Sequence, residues 1–168
     1  MTDEAIEIIR GGEELLDAPR ALWLALRDHH HSMAPELGPV RGDEETWTRR
    51  RSEYAAWLAQ DNGAFLLVAR RGDQVLAYAF VRPLRRNSTT WALERDELDI
   101  ETLSVSPQAR GSGIGARMIA LIREEVERGG YGGLQVTAIA QNAGALRFYE
   151  REGFAPEFIH LRDTTRRP

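Results

Sequence analysis

The chain has 168 residues, 42% hydrophobic and 29% charged, which fits one soluble domain and excludes a disordered chain or a fibre. It contains no cysteine and no lysine, so a disulfide framework, a thiolate nucleophile, a Schiff base and a P-loop lysine are all excluded. The net charge of −4, from 22 basic and 26 acidic residues, argues against nucleic acid as a partner. No apolar run approaches the roughly 20 residues of a membrane span, and the acidic start lacks a secretory pattern, so a cytoplasmic setting is predicted.

In chain order, Ala5 to Arg10 alternates and predicts a strand. Leu15 to His31 has helical spacing, with a break near Pro19. His31 to Gly42 is rich in proline and glycine and predicts a loop. Asp43 is expected to cap a second helix, which closes near Asp61-Asn62-Gly63. Phe65 to Ala69 and Val75 to Arg82 predict a hairpin around Arg71-Gly72-Asp73. Leu98 to Val105 is a further strand, and an amphipathic helix runs from Ile114 to Gly129-Gly130. Leu134 to Ala140 predicts a buried strand, Asn142 to Glu152 a short helix closed by Gly153, and Phe154 to Leu161 a last strand. This order predicts an α+β fold with a mixed, mostly antiparallel central sheet flanked by helices, in one domain spanning residues 1–168.

Gly111, Gly113 and Gly115 stand between a strand and a helix, where tight turns let backbone N–H groups approach an anion. Gly111, Gly113 and Ala116 match the dinucleotide fingerprint. However, Pro107 and further residues separate the glycines from the strand, and Gln141 stands where an acid is needed. The whole stretch Gln108-x-x-Gly111-x-Gly113, after Leu103-Ser-Val-Ser-Pro, resembles the acyl-CoA loop of the Gcn5-related N-acetyltransferase (GNAT) superfamily. Asn142-x-x-Ala145-x-x-Phe148-Tyr149-x-x-x-Gly153-Phe154 is similar to the same family's closing motif.

The resemblance covers residues 98–158 and implies a GNAT fold with two splayed strands, 98–105 and 134–140, that receive the pantetheine arm of acetyl-CoA. It implies backbone contacts to the arm from Leu103 and Val105. The pyrophosphate would lie on the loop of Gln108, Arg110, Gly111, Ser112, Gly113, Ile114 and Gly115, with Asn142 at the cofactor as well. Tyr149 is the implied proton donor to the departing thiolate, and the Val105 amide the donor to the oxyanion.

An amine acceptor must lose a proton, which calls for a carboxylate base. Asp99 and Glu101 lie two apart on one strand face, and Glu101 is favoured because it is nearer to Leu103. The expected activity is acetyl transfer from acetyl-CoA to a primary amine of a small molecule or peptide, with a non-catalytic acyl-CoA sensor as the alternative. The acceptor part is placed within residues 12–97, and family habit makes a homodimer a candidate by analogy.

Three further clusters draw attention. His29-His30-His31 cannot share one helical face, so no metal site is expected. Arg49-Arg50-Arg51 reads as a solvated face, while Trp23, Trp47, Tyr54, Trp57 and Trp91 read mostly as core. The run Glu94, Asp96, Glu97, Asp99 and Glu101 predicts an acidic mouth that attracts a cationic acceptor.

Overall fold

The computed structural model describes residues 5–86, 88–92 and 95–163. Five strands form one sheet in the order β1-β2-β3-β4-β5, where β1 is Glu7–Gly11, β2 Phe65–Arg71, β3 Gln74–Leu84, β4 Glu97–Val105 and β5 Leu134–Val136. The first four pair antiparallel and only β4 with β5 runs parallel, as predicted for the mixed sheet. Among the described residues, four α-helices flank it: α1 Arg20–Met33, α2 Asp43–Leu58, α3 Ile114–Gly129 and α4 Ala143–Arg151.

Alternation along the strands divides the core into two layers. One face, with Leu67, Ala79, Leu98 and Ile100, packs on Ile114, Met118, Ile119 and Ile122 of α3. The other, with Leu66, Val68, Tyr78 and Phe80, packs on Leu22 of α1 and Tyr54 of α2. Tyr54 stacks on Phe80, ring centroids 4.1 Å apart. Its hydroxyl donates to Thr102 Oγ1 at 2.8 Å, which satisfies a polar group inside the layer.

The register between β3 and β4 shifts at one point: Phe80 opposes Thr102 and Val81 opposes Ile100, leaving Glu101 as the extra residue of a bulge. The bulge turns Glu101 and Thr102 toward the same helix, since Glu101 meets Arg50 and Thr102 meets Tyr54, both on α2.

Several local expectations are corrected. Asp43 is the first residue of α2 rather than its cap; Gly42 holds the cap position, and Asp43 pairs with Arg27 at 2.8 Å. The first helix starts at Arg20, because Pro19 occupies its cap position and accepts the Trp23 N–H. The strand expected over 134–140 pairs only through Val136 and is half-buried. The strand expected over 154–161 does not form: this segment has no regular secondary structure, and Phe158, Ile159 and Leu161 are exposed. Trp91 is exposed, not core. Among the described residues, no helix is long and apolar enough to cross a membrane.

Candidate active site

The glycine loop starts in a 3-10 turn, Pro107–Ala109, that follows β4 directly. Gly111 (φ +78°) and Gly113 (φ +81°) both adopt left-handed backbone that disfavours any side chain. A Cβ on either would meet nothing within 4 Å, so no protein packing demands these glycines; their faces are open to an incoming group. Gly113 is the N-cap of α3, and helix geometry leaves the next amides without intrahelical acceptors. Gly115 differs. A Cβ there would approach Phe148 Cζ to 3.0 Å, so this glycine lets α4 pack on the start of α3.

Loop side chains brace the turn. The Ser112 hydroxyl donates to the Ala109 carbonyl at 2.5 Å, and Arg110 Nε donates to the Val105 carbonyl at 3.3 Å. Gln108 is exposed, whereas the Ile114 side chain is buried in the core, so only its amide can face a ligand.

Pairing of β5 with β4 ends at Ile100 opposite Val136. Beyond it β4 continues to Val105, paired on its other side with β3 through Leu103 and Val105. The two parallel strands therefore part where Leu103 and Val105 lie, leaving an open β4 edge that leads to the glycine loop.

Tyr149 comes from α4, whose N-cap Asn142 accepts the Ala145 N–H at 3.0 Å. The helix closes with Gly153 at φ +84°, its N–H donating to Glu150 and that of Phe154 to Tyr149. The Phe154 ring meets the Tyr149 ring edge-on, centroids 5.5 Å apart. Tyr149 and Phe148 pack with Leu103 and Val105 in the α3-side layer. Burial pushes the Tyr149 phenol up to about 12, so it keeps its proton throughout the neutral range.

The two carboxylates of β4 have different surroundings. Each oxygen of Glu101 receives a guanidinium, Arg50 at 2.9 Å and Arg82 at 3.0 Å. Arg50 lies over the Trp23 ring at 4.2 Å and Arg82 over Trp57 at 4.6 Å, which fixes both cations. Asp99 is only 7% exposed. It accepts from Gln135 Nε2 at 3.0 Å, and Arg82 lies 3.5 Å away. Burial pushes its carboxyl up, against the lowering effects of the Gln135 hydrogen bond and of Arg82; the Glu101 charge adds to the rise. A cleft of ≈ 340 Å³ opens here, lined by Arg82, Asp99, Glu101, Gln135 and Thr137 among others.

The predicted acidic mouth is thus corrected to a compensated one, with Arg50 and Arg82 on Glu101 and Arg86 3.6 Å from Glu97. Glu94 lies outside the described residues. Arg50 is half-buried, not part of a solvated arginine face. The sequence signal was available: Trp47, Arg50, Tyr54 and Trp57 recur at helical spacing, so Arg50 sits on the stripe that faces the sheet. Gln135 gave no such signal, because its role depends on β5 lying beside β4 in this register.

The family described as "Acetyltransferase (GNAT) family" matches residues 23–154. A mycothiol acetyltransferase of Brachybacterium faecium is 29% identical over 157 residues, 92% of this chain and 43% of that protein. The chain therefore spans less than half the length of this relative, and 48% of a second one from Beutenbergia cavernae that bears the same name. Among solved structures, a mutant of the BH1408 protein of Bacillus halodurans superposes with a TM-score of 0.79 at 16% identity, covering 93% of this chain and 97% of the other. An aminoglycoside N-acetyltransferase in complex with CoA superposes with a TM-score of 0.68 at 14% identity, over 96% of each chain.

Proposed function

The chain belongs to the GNAT acetyltransferase family, and from that premise we propose that it transfers an acetyl group from acetyl-CoA to a primary amine by direct attack on the thioester. The observation that carries this reading is the open run from the parted β4 edge to the glycine loop. An extended pantetheine arm can add to the edge at Leu103 and Val105 as a strand would. Its pyrophosphate then meets the amides at the start of α3, where partial positive charge and N–H donors suit an anion. The CoA complex of the aminoglycoside enzyme supports a CoA-type ligand for this fold.

The residues have distinct parts. Acetyl-CoA supplies the acyl group as a thioester. The Val105 amide donates to the carbonyl oxygen as it gains negative charge. Tyr149, neutral at physiological pH, donates a hydrogen bond to the departing sulfur. Of the two carboxylates, Asp99 suits the base better than Glu101. Glu101 has both oxygens committed to guanidiniums, whereas Asp99 lines the cleft with a raised proton affinity. Glu101 instead positions Arg50 and Arg82. Asn142 serves α4 as its cap and helps place Tyr149.

The acceptor is a small molecule or peptide amine. Its pocket lies on the α1–α2 side, with Arg82, Asp99 and Glu101 at its floor. The likeness to two mycothiol acetyltransferases supports acetyl transfer as the class of reaction.

Thiol release from acetyl-CoA over a panel of amines tests this function. The chain has no cysteine of its own to react with a thiol reagent. Amine-dependent release is expected; acetyl-CoA binding without release on any amine would favour a sensor.

A further inference from the structure

The cleft of ≈ 340 Å³ beside Asp99 is small for a ligand site, since such sites run from about 300 to 1,000 Å³, and it has room for one compact molecule. It lies where β4 and β5 part: Val136 is the last residue of β5 paired to β4, and Thr137, the next along the chain, lines the cleft. Two groups of opposite charge share its wall, with Arg82 Nη2 3.5 Å from Asp99 Oδ2.

Both groups are oriented from behind. The Arg82 guanidinium lies over the Trp57 ring at 4.6 Å, and its Nε donates to Glu101 Oε2 at 3.0 Å. Among the described residues this is the one side-chain hydrogen bond that Arg82 donates. A guanidinium has five N–H groups in a planar fork, so donors on the terminal nitrogens remain for the cleft, and a carboxylate is the group whose two oxygens match them. Asp99 accepts from Gln135 Nε2 through Oδ1, which leaves Oδ2, the oxygen beside Arg82, for an amine.

Charge then decides the class of acceptor. Asp99 and Glu101 each face a guanidinium already, so the cleft holds no surplus negative charge to attract a polycation. A plain amine on Asp99 would set its own positive charge beside Arg82. A molecule with a carboxylate next to its amine answers both groups. In an α-amino acid the amine nitrogen and the carboxyl carbon are bonded to one carbon, each about 1.5 Å from it. That close spacing suits two partners 3.5 Å apart. When the ammonium passes its proton to Asp99, Arg82 loses that counter-charge and the acceptor's carboxylate replaces it. A peptide N-terminus offers only a neutral amide at the same place.

We propose that the acceptor is a free α-amino acid, whose carboxylate is held by Arg82 while its amine meets Asp99. Arg82 is then the residue that selects the acceptor. This deepens the proposed acetyl transfer and rests on it.

Thiol release from acetyl-CoA, measured with free α-amino acids, with the matching amino acid amides and with spermidine, tests the proposal. At least one free acid is expected to exceed its amide in kcat/KM by about 10-fold or more, the scale of a lost charge-assisted hydrogen bond. In Arg82→Gln the acid-to-amide ratio should fall to one or below, and Arg82→Lys, which keeps the charge without the fork, should keep part of it. A merely structural role for Arg82 would lower both rates and leave their ratio unmoved. A wild type that uses acids and amides equally, or prefers amides or spermidine, would overturn this proposal and leave acetyl transfer standing; so would a ratio unchanged in Arg82→Gln. Release with none of the amines would overturn both. Should Arg82→Gln fail to fold, the wild-type ratio and that of Arg82→Lys decide.

Discussion

Tyr149 is held by packing, with Phe148 and Phe154 around its ring. Tyr149→Phe removes only the phenolic oxygen, so acetyl-CoA affinity should be retained while turnover falls about 10- to 1,000-fold. Equal turnover in the variant would reduce Tyr149 to a packing residue. Asp99 and Glu101 should separate in the same assay. Asp99→Asn is expected to lose turnover near neutral pH and regain part of it in alkali, where the amine deprotonates unaided. In Glu101→Gln, two half-buried guanidiniums lose their closest carboxylate and keep only Glu53 and Asp99 at 3.5 Å, at a cost of roughly 1.5–3 kcal/mol in stability. It should nevertheless retain more turnover than Asp99→Asn, and the reverse ranking would return the base to Glu101. The sign of the pH effect on folding also follows. Asp99 has a folded pKa raised above its ordinary 3.8, so the folded state holds that proton more tightly than the unfolded chain does. Its contribution favours the fold below 3.8 and is lost as pH rises through the raised value. Asp99→Asn should therefore flatten that part of the stability profile, which chemical denaturation at a series of pH values would reveal.

At the scale of elements, the parts with strong local signals were legible. The amphipathic stripe of α3, the α2 stripe and the hairpin of β2 with β3 all fall within a few residues of their expected bounds. Gly153 was readable as the end of α4 because only glycine readily takes φ +84° there. The bulge at Glu101 was not legible. It exists through the register of β4 against β3, and it decides which side chains of β4 face α2. The missing strand over 154–161 shows the converse: a sound local pattern forms no ladder without a partner edge. The three loop glycines also divide by cause. Gly115→Val should destabilise the fold by about 1–3 kcal/mol through Phe148, since overpacking cannot relax freely at a helix contact. Thermal melts would show it, and an unshifted midpoint would contradict the close approach of α4. The buried Tyr54 hydroxyl gives a further element-scale test. Tyr54→Phe leaves Thr102 and Tyr78 short of a partner and should cost about 1–3 kcal/mol.

Across the whole molecule, the sheet divides its work between its two faces. The α3 side carries the larger core, the glycine loop and Tyr149, whereas the α1–α2 side carries the arginine-clamped carboxylates and the cleft above them. The parted end of β4 and β5 joins the two sides, and the proposed reaction puts the acyl group and the amine there. The glycine-loop half was readable in the sequence because backbone conformation dictates its glycines. The carboxylate cleft was hidden because it is assembled from α2, β3, β4 and β5 by tertiary register alone. In the proposed function the parted strands and the glycine loop bind acetyl-CoA. Calorimetric titration of acetyl-CoA into the wild-type chain and into Gly113→Asp tests it most directly, because nothing in the fold packs on that glycine and the carboxylate would face the incoming pyrophosphate. One saturable site is expected in the wild type, and none in a variant that retains its sheet and helix content. Equal binding by the two chains, or no binding by the wild type, would contradict it.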